Sequence, residues 1–260
     1  MPWEHMQEVA VYVWLGSLPF LVLAYCTVLI VRSEYSLWEN CLFAPTFLMG
    51  RMKWRVGFEN DPPPEIDSGA VLVANHRSSV DPFFVQLAAR RRVHWMVAKE
   101  YCQHALFGSI LRPLEVIPTN RSGMDTAAMK RAIRFTGEGR LVGMFPEGKI
   151  NQTDCTLLPI RSGAALVAAR SNVPLIPMYI AGSPFNKTPW SPVLMRAKVR
   201  ISFGTAVSPT DFSLDDNGSS SRGESVDTDA MILECGQQIL ELACTTQDKA
   251  SLASARRKRK

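Results

Sequence analysis

Short apolar runs alternate with helical patterns along the chain after residue 70, and this alternation is the strongest constraint on the fold. Runs with the length of buried strands cover residues 70–74, 93–97, 141–145, 175–179 and 199–203. Helices are predicted over residues 82–91, 124–136 and 161–171. Strands and helices that alternate in this way form a sheet covered by helices. We therefore predict an α/β fold with a mixed sheet covered by helices.

An uncharged apolar segment, residues 9–31, precedes this region and is long enough to cross a bilayer as a helix. Gly16 and Pro19 interrupt the segment, and both residue types are tolerated in membrane helices. A cleaved signal peptide is one alternative, but the residues before the segment include Glu4 and Glu8 and no Lys or Arg. A buried soluble helix is another. We predict an N-terminal membrane helix or a half-inserted interfacial hairpin.

The basic residues that flank this segment lie on its C-terminal side. They are Arg32, Arg51, Lys53 and Arg55. Positively charged flanks stay on the cytoplasmic side of a membrane. The rest of the chain is therefore expected to face the cytoplasm, at an inner or cytoplasmic membrane or an endomembrane.

Composition divides the chain into four parts. Residues 1–60 are interpreted as a membrane-anchoring segment, and residues 61–69, which begin with Asp-Pro-Pro-Pro, as a stiff linker. Residues 70–213 form the predicted core. Residues 214–260 contain a polar loop, a packed C-terminal helix and a basic tail.

Charge and cysteine spacing limit the classes of partner. The net charge of +5 comes partly from the basic tail, residues 256–260, which is suited to anionic lipid headgroups. No zinc-finger or RNA-binding motif accompanies this charge, so we predict no nucleic-acid partner. The six cysteines lack paired metal-ligand spacing, and we predict no metal site.

His76 and Asp81 have the chemistry of a base and its orienting group. A neutral imidazole can take the proton of a hydroxyl that attacks a carbonyl, and a carboxylate can hold the imidazole in the required tautomer. The two residues are five positions apart, so a continuous helix would not align them. Pro82 favours the first helical position, which makes Asp81 a plausible N-cap and places His76 in the preceding loop. The alternative is that Asp81 only caps the helix and His76 is a surface residue.

Four short motifs follow one another in this part of the chain. They are residues 75–81 (Asn-His-Arg-Ser-Ser-Val-Asp), 116–121 (Val-Ile-Pro-Thr-Asn-Arg), 145–148 (Phe-Pro-Glu-Gly) and 173–177 (Val-Pro-Leu-Ile-Pro). In this order and spacing they resemble the motifs of the glycerolipid acyltransferases, typified by lysophosphatidic acid acyltransferase. The resemblance covers roughly residues 70–203.

The resemblance implies an O-acyltransferase with His76 and Asp81 as its catalytic pair. The donor would be acyl-CoA or an acyl carrier protein thioester, and the acceptor would be the free hydroxyl of 1-acyl-glycerol-3-phosphate, giving phosphatidic acid for phospholipid biosynthesis. No cofactor beyond this co-substrate is implied. The same chemistry on another lysolipid, such as a lyso-aminolipid, is the nearer alternative, and a non-catalytic membrane lipid-binding protein is the other.

The resemblance also implies a set of substrate-binding residues. Arg121 matches the Arg of the second motif and would grip phosphate oxygens, while Lys99 would add positive charge nearby. In the third motif, Glu147 and Gly148 are followed by Lys149-Ile150, where the family continues with Thr and a basic residue. The other predicted substrate-binding residues are Glu147, Gly148, Lys149 and the downstream Arg161. Glu147 would orient an Arg or accept a hydrogen bond from an acceptor hydroxyl.

Residues 143–150 also nearly satisfy a nucleotide-binding P-loop. Ile150 stands where Ser or Thr must hold magnesium, and Pro146 has no backbone N–H to offer a phosphate. Glu147 would repel the nucleotide. We therefore reject a nucleotide hydrolase.

Overall fold

A computed structural model describes residues 12–14, 16–17, 47–104, 108, 111–120, 125–185, 188, 191–214 and 225–258, with the side chains of residues 226–246 in the last range. The chain divides into two compact units, Met1–Thr46 and Phe47–Lys260. In the first unit, residues 12–14 and 16–17 are helical. No helix among the described residues is both long and apolar enough to cross a bilayer. Most of the predicted membrane segment lies outside the described residues, and the segment stays a prediction.

Seven strands form one mixed sheet in the described part of the second unit, in the order β1-β7-β6-β2-β5-β3-β4. The strands are β1 (Gly57–Phe58), β2 (Ala70–Ala74), β3 (Val93–Ala98), β4 (Ile117–Thr119), β5 (Leu141–Met144), β6 (Leu175–Ala181) and β7 (Arg200–Phe203). Strands β6 and β7 are antiparallel, and the other neighbouring strands are parallel. The predicted mixed α/β sheet is thereby confirmed.

Helices cover both faces of this sheet. They are α1 (Asp81–Ala89), α2 (Lys99–Gln103), α3 (Thr126–Gly137), α4 (Gly163–Ser171), α5 (Ser191–Leu194) and α6 (Thr228–Lys258), with 3₁₀ helices at Pro64–Ser68 and Pro209–Phe212. A separate hairpin joins β8 (Ser213–Leu214) and β9 (Ser225–Val226).

Strand β2 shows how one run of small apolar residues serves two cores. Its five residues are all buried, and successive side chains of a strand point to opposite faces. Leu72 packs in the core on the α1 side with Phe84. Val71 and Val73 pack in the second core with residues of α3, α4 and α6. Burial on both faces explains why the strand is continuously apolar rather than alternating.

The second unit begins at Phe47, so the boundary predicted at residue 60 lies inside a folded unit. Trp54 is 1% exposed, and its ring meets that of Phe84 edge-on at 5.3 Å between centroids. Its Nε1 donates a hydrogen bond to the carbonyl of Pro192 at 3.0 Å. Strand β1 pairs with β7. The proline-rich residues 61–69 therefore join two strands of one sheet instead of linking two domains.

Replacing Trp54 with phenylalanine is expected to lower the free energy of unfolding by about 1–3 kcal/mol. The substitution keeps an aromatic ring against Phe84 but removes the buried hydrogen bond to Pro192 and leaves space behind the smaller ring. Urea unfolding of the two proteins measures the difference. Met52→Leu, at an exposed position two residues away, is the control and should change stability by less than about 0.5 kcal/mol.

Candidate active site

The predicted site residues that the structure describes lie at one edge of the sheet. Strands β2 to β6 run parallel to one another, so their carboxyl ends share that edge, where α/β proteins bind ligands. His76 follows β2, Lys99 follows β3 and Glu147 follows β5. Arg121 comes after β4 in the chain but lies outside the described residues.

Asp81 is fully buried and organises the loop that precedes it. Its Oδ2 accepts hydrogen bonds from the backbone N–H groups of Arg77 at 2.6 Å and Ser78 at 2.7 Å, and lies 3.0 Å from Nδ1 of His76. Its Oδ1 accepts from the hydroxyl of Ser183 at 2.7 Å. Asp81 is the first residue of α1, and its carboxylate holds the loop instead of capping the helix as predicted.

This contact fixes which nitrogen of His76 can act. A carboxylate only accepts hydrogen bonds, so it favours the tautomer of neutral His76 in which Nδ1 carries the proton. Nε2 then presents its lone pair, and no described residue hydrogen bonds to it. The side chain is 15% exposed, so the ring is held by the protein but remains accessible.

The plane of the His76 ring is set by two further aromatic rings. His76 stacks on Phe145 with centroids 3.9 Å apart and an angle of 7° between the rings. Phe145 stacks in turn on Trp95 at 4.8 Å. A Cβ at Gly143 would lie 2.8 Å from the Trp95 ring, so only glycine there leaves this stack in place. The third motif thus contributes the ring beneath the imidazole.

Glu147 supports the same loop from the other side. It is 3% exposed, and its two carboxylate oxygens accept from the backbone N–H groups of His76 at 2.7 Å and Leu158 at 2.9 Å. Burial raises the pKa of Glu147, while the two N–H groups act in the opposite direction. The carboxylate is therefore turned into the protein, and this geometry favours a positioning role over the predicted contact with substrate.

Two residues that the sequence did not single out complete the support of the loop. The backbone N–H of Asn151 donates to the carbonyl of His76 at 2.7 Å, and Asn151 is buried. Nη1 of Arg77 donates to the carbonyls of Thr153 and Cys155 at 2.6 and 3.0 Å. The third motif thus holds the N–H of His76, and the segment after the motif holds its carbonyl.

Comparison with known proteins identifies one domain of the chain. The family model described as Acyltransferase matches residues 55–181. These residues are an acyltransferase domain. The resemblance predicted from the four motifs is confirmed, and with it the prediction that the chain is an enzyme that transfers acyl groups.

Two curated relatives show the level of similarity. A 1-acyl-sn-glycerol-3-phosphate acyltransferase from Bacillus subtilis is 27% identical over 147 residues, which is 56% of this chain and 70% of the relative. One from Limnanthes douglasii is 33% identical over 117 residues, or 44% of this chain, and the match spans only 41% of that relative's length.

A solved structure shares the fold. The crystal structure of the 1-acyl-sn-glycerophosphate (LPA) acyltransferase PlsC from Thermotoga maritima aligns with a TM-score of 0.57, over 86% of this chain and 92% of the other. The sequence identity is 20%. At this identity the likeness concerns the arrangement of strands and helices in the acyltransferase domain.

Lys149 and Arg161 lie exposed beside the loop that carries His76 in the acyltransferase domain. Gly148 has φ +68°, and a Cβ there would lie 3.5 Å from Nη1 of Arg161, so the guanidinium rests against the glycine turn. The backbone N–H of Arg161 donates to the carbonyl of Pro146 at 3.1 Å. Neither side chain forms an ion pair with a described residue, and both can meet an anionic substrate.

Lys99 has a partner within the acyltransferase domain. Its Nζ lies 3.3 Å from Oδ2 of Asp125, which caps α3 by accepting from the N–H of Ala128. The same carboxylate accepts from the N–H of Asn120 at 2.9 Å. The N–H groups of Ala128 and Asn120, and then Lys99, hold the pKa of Asp125 below its usual value. Lys99 therefore ties the second motif to β3, and a phosphate would have to share it with Asp125.

The fourth motif lies away from His76 and Asp81. Residues 173–177 form the amino end of β6, whereas His76 follows the carboxyl end of the parallel neighbour β2. Leu175 and Ile176 are fully buried. The motif is at the start of a strand, as predicted, and its side chains fill the core instead of lining a cleft near His76.

Proposed function

We propose that the acyltransferase domain esterifies the free hydroxyl of 1-acyl-glycerol-3-phosphate, with acyl-CoA or acyl carrier protein as the donor, and so forms phosphatidic acid in phospholipid biosynthesis. One observation carries the proposal: a buried carboxylate holds Nδ1 of His76, and Nε2 of this partly exposed side chain has no hydrogen-bond partner among the described residues. The names of the curated relatives support the choice of acceptor.

The proposed reaction is a direct transfer. The acceptor hydroxyl donates its proton to Nε2 of His76 as its oxygen attacks the thioester carbonyl, and a C–O bond forms. The tetrahedral intermediate collapses with cleavage of the C–S bond. The imidazolium returns the proton to the departing thiolate, which leaves as a free thiol. The carboxylate of Asp81 stabilises the imidazolium between the two steps.

No acyl-enzyme is needed in this scheme. Ser183, the serine whose hydroxyl contacts the catalytic pair, donates to Asp81 and not to the base. A nucleophilic serine would have to hydrogen bond to Nε2 of His76. In the proposed scheme, Ser183 positions the carboxylate and remains unmodified.

An assay of acceptor preference tests the proposal. Purified protein is incubated with radiolabelled acyl-CoA or acyl carrier protein thioester and a panel of lysolipids. We expect labelled phosphatidic acid from 1-acyl-glycerol-3-phosphate. No product with any acceptor, although the protein binds lysolipid, would favour the non-catalytic lipid-binding alternative. Hydrolysis of the donor alone would contradict transfer to a lysolipid.

A second acceptor class deserves inclusion in the panel because the third motif departs from the family pattern. Lys149 and Ile150 replace the usual Thr and basic residue, so one hydroxyl is missing and the positive charge has moved by one position. A zwitterionic or amino headgroup would need less positive charge than a phosphate monoester. Preference for a lyso-aminolipid would favour this alternative.

Arg121→Ala is expected to raise the acceptor KM about ten- to hundredfold. A phosphate monoester carries nearly two negative charges, and Arg can meet it with two parallel hydrogen bonds. Losing a charge-assisted contact costs about 1.5–3 kcal/mol. Steady-state kinetics with each substrate varied in turn measures the effect. Arg121→Lys should recover part of the loss. A defect confined to the donor KM would instead indicate that Lys149 and Arg161 bind the acceptor.

The chain is further proposed to be anchored to a membrane by its N-terminal segment. The uncharged residues 9–31 support this proposal. Fractionation of a chain that lacks residues 1–46 tests it, and this truncation leaves Trp54 and β1 intact, unlike one that ends at Asp61. A truncated protein that stays with membranes as fully as the intact chain would contradict this anchor.

A further inference from the structure

Two segments that are distant in sequence form one surface of the folded unit. We call residues 47–56 and 191–200 together the basic-apolar face. Nζ of Lys53 donates to the carbonyl of Val193 at 2.7 Å, and the N–H of Ala197 donates to the carbonyl of Lys53 at 3.2 Å. Nε1 of Trp54 donates to the carbonyl of Pro192. These bonds make the two segments a single fixed surface.

Large apolar side chains of the basic-apolar face point to solvent. Met52 is 71% exposed and Leu194 is 80% exposed. The other exposed apolar side chains of the face are Phe47, Leu48 and Val193. Scattered exposed apolar residues are ordinary, but a group on adjoining segments indicates an interaction surface.

The charges of this face have one sign. Each of its two segments has three basic residues and no acidic one. These residues are Arg51, Lys53, Arg55, Arg196, Lys198 and Arg200. Arg200 pairs with Glu59, which lies outside the face, at 3.7 Å. Arg51, Arg55, Arg196 and Lys198 form no ion pair with residues that the structure describes.

We propose that the basic-apolar face docks the folded unit directly on an anionic lipid surface. Apolar side chains that enter the boundary between headgroups and acyl chains, with basic side chains around them, are the chemistry that binds such a surface. The proposal goes beyond the proposed function, because it concerns binding by the folded unit itself and requires neither acyl transfer nor residues 1–46.

The charge of the face also decides against a second copy as the occupant. A symmetric dimer would place the same patch of each chain against itself. Six basic residues would then face six basic residues without an acidic partner, and juxtaposed like charges oppose association. An anionic surface supplies the opposite charge.

The face is rigidly connected to the catalytic pair. Trp54, which lies beneath the face, packs edge-on against Phe84 of α1. The first residue of α1 is Asp81, which holds His76. Docking through this face would therefore give the catalytic loop a defined orientation relative to the lipid surface.

Hydrogen–deuterium exchange of the full chain tests the proposal locally. Backbone exchange is followed with and without phosphatidylglycerol vesicles, and with phosphatidylcholine vesicles as the uncharged comparison. Helix α5 has only four residues, so few of its N–H groups are hydrogen bonded and they should exchange rapidly in solution. We expect slower exchange in residues 47–56 and 191–197 with the anionic vesicles, and a weaker effect with the neutral ones.

Two variants distinguish the face from other exposed apolar surface. In the full chain, Leu194→Glu should remove the protection of residues 191–197 from hydrogen exchange. In a chain lacking residues 1–46, the same substitution should lower the partition coefficient measured by vesicle flotation about tenfold or more. Leu233→Glu, on α6 at a leucine that is 59% exposed, introduces the same charge elsewhere and should change neither measurement.

A third variant tests the charge of the face. Arg196→Gln should lower the partition coefficient about fivefold and make it less dependent on salt.

Several results would overturn the proposal. Unchanged exchange in both segments on adding vesicles would do so, as would equal loss of partitioning in the two glutamate variants. Protection that is already present without vesicles and is lost in Leu194→Glu would assign the face to a protein contact. All samples lack acceptor and donor, so the outcome does not depend on the proposed acyl transfer.

Discussion

Replacing His76 with alanine is expected to lower the rate of acyl transfer by about 10²–10⁴-fold, which is the usual contribution of a general base. The hydroxyl would then have to lose its proton to water as it attacks. The fold should be retained, because the ring is partly exposed and the loop is held through backbone groups of His76, which the substitution keeps. Steady-state kinetics with saturating donor and acceptor measures the loss.

Two measurements separate the loss of the base from a disturbed loop. Thermal unfolding should show a Tm close to that of the unsubstituted protein. His76→Gly with added imidazole should recover part of the activity, since free imidazole can occupy the space above Phe145. Unchanged turnover in His76→Ala would eliminate the proposed mechanism.

The strands were predictable from the sequence because they are buried on both faces. Strand β2 has the predicted bounds, Ala70–Ala74, and β6 begins at the predicted Leu175. Continuous apolar runs of this length indicate strands between two layers of helices. The short elements β1, α2 and α5 were missed, because two to five residues carry no periodic pattern and depend on neighbours in the fold.

The domain boundary was predicted at residue 60 because apolar composition and a proline run are local signals. The burial of Trp54 depends on Pro192, 138 positions away, and β1 depends on pairing with β7. A tryptophan beside basic residues in a sequence is equally compatible with a membrane interface. Only the tertiary fold places its ring against Phe84.

In the candidate site, too, local sequence signals predicted some contacts, and contacts that depend on the tertiary fold were missed. The contact between His76 and Asp81 was predictable, because residue type and motif order suggest a base beside its orienting group. Ser183 was not, because it reaches Asp81 from 102 positions away through the parallel arrangement of β2 and β6. Glu147 was assigned to substrate binding, since its motif gives no sign that both oxygens are taken by backbone N–H groups.

Asp81→Asn is expected to lower kcat by about 10²–10⁴-fold, with a smaller change in acceptor KM. An amide oxygen in place of Oδ2 can still accept from the N–H groups of Arg77 and Ser78, and its NH₂ can donate to the hydroxyl of Ser183. The loop can therefore keep its shape. What is lost is the negative charge beside the imidazolium that forms during transfer, in the low dielectric of a buried site.

Ser183→Ala is the matched control for Asp81→Asn, because it removes one hydrogen-bond donor from the same carboxylate and leaves its charge. A hydrogen bond to a charged group contributes about 1.5–3 kcal/mol, so kcat should fall by at most about ten- to hundredfold. If both variants lose the same small amount, Asp81 acts by holding the loop alone. If Asp81→Asn loses orders of magnitude while its Tm stays near that of Ser183→Ala, the loss arises from the missing charge, because the loop and its hydrogen bonds remain in both proteins.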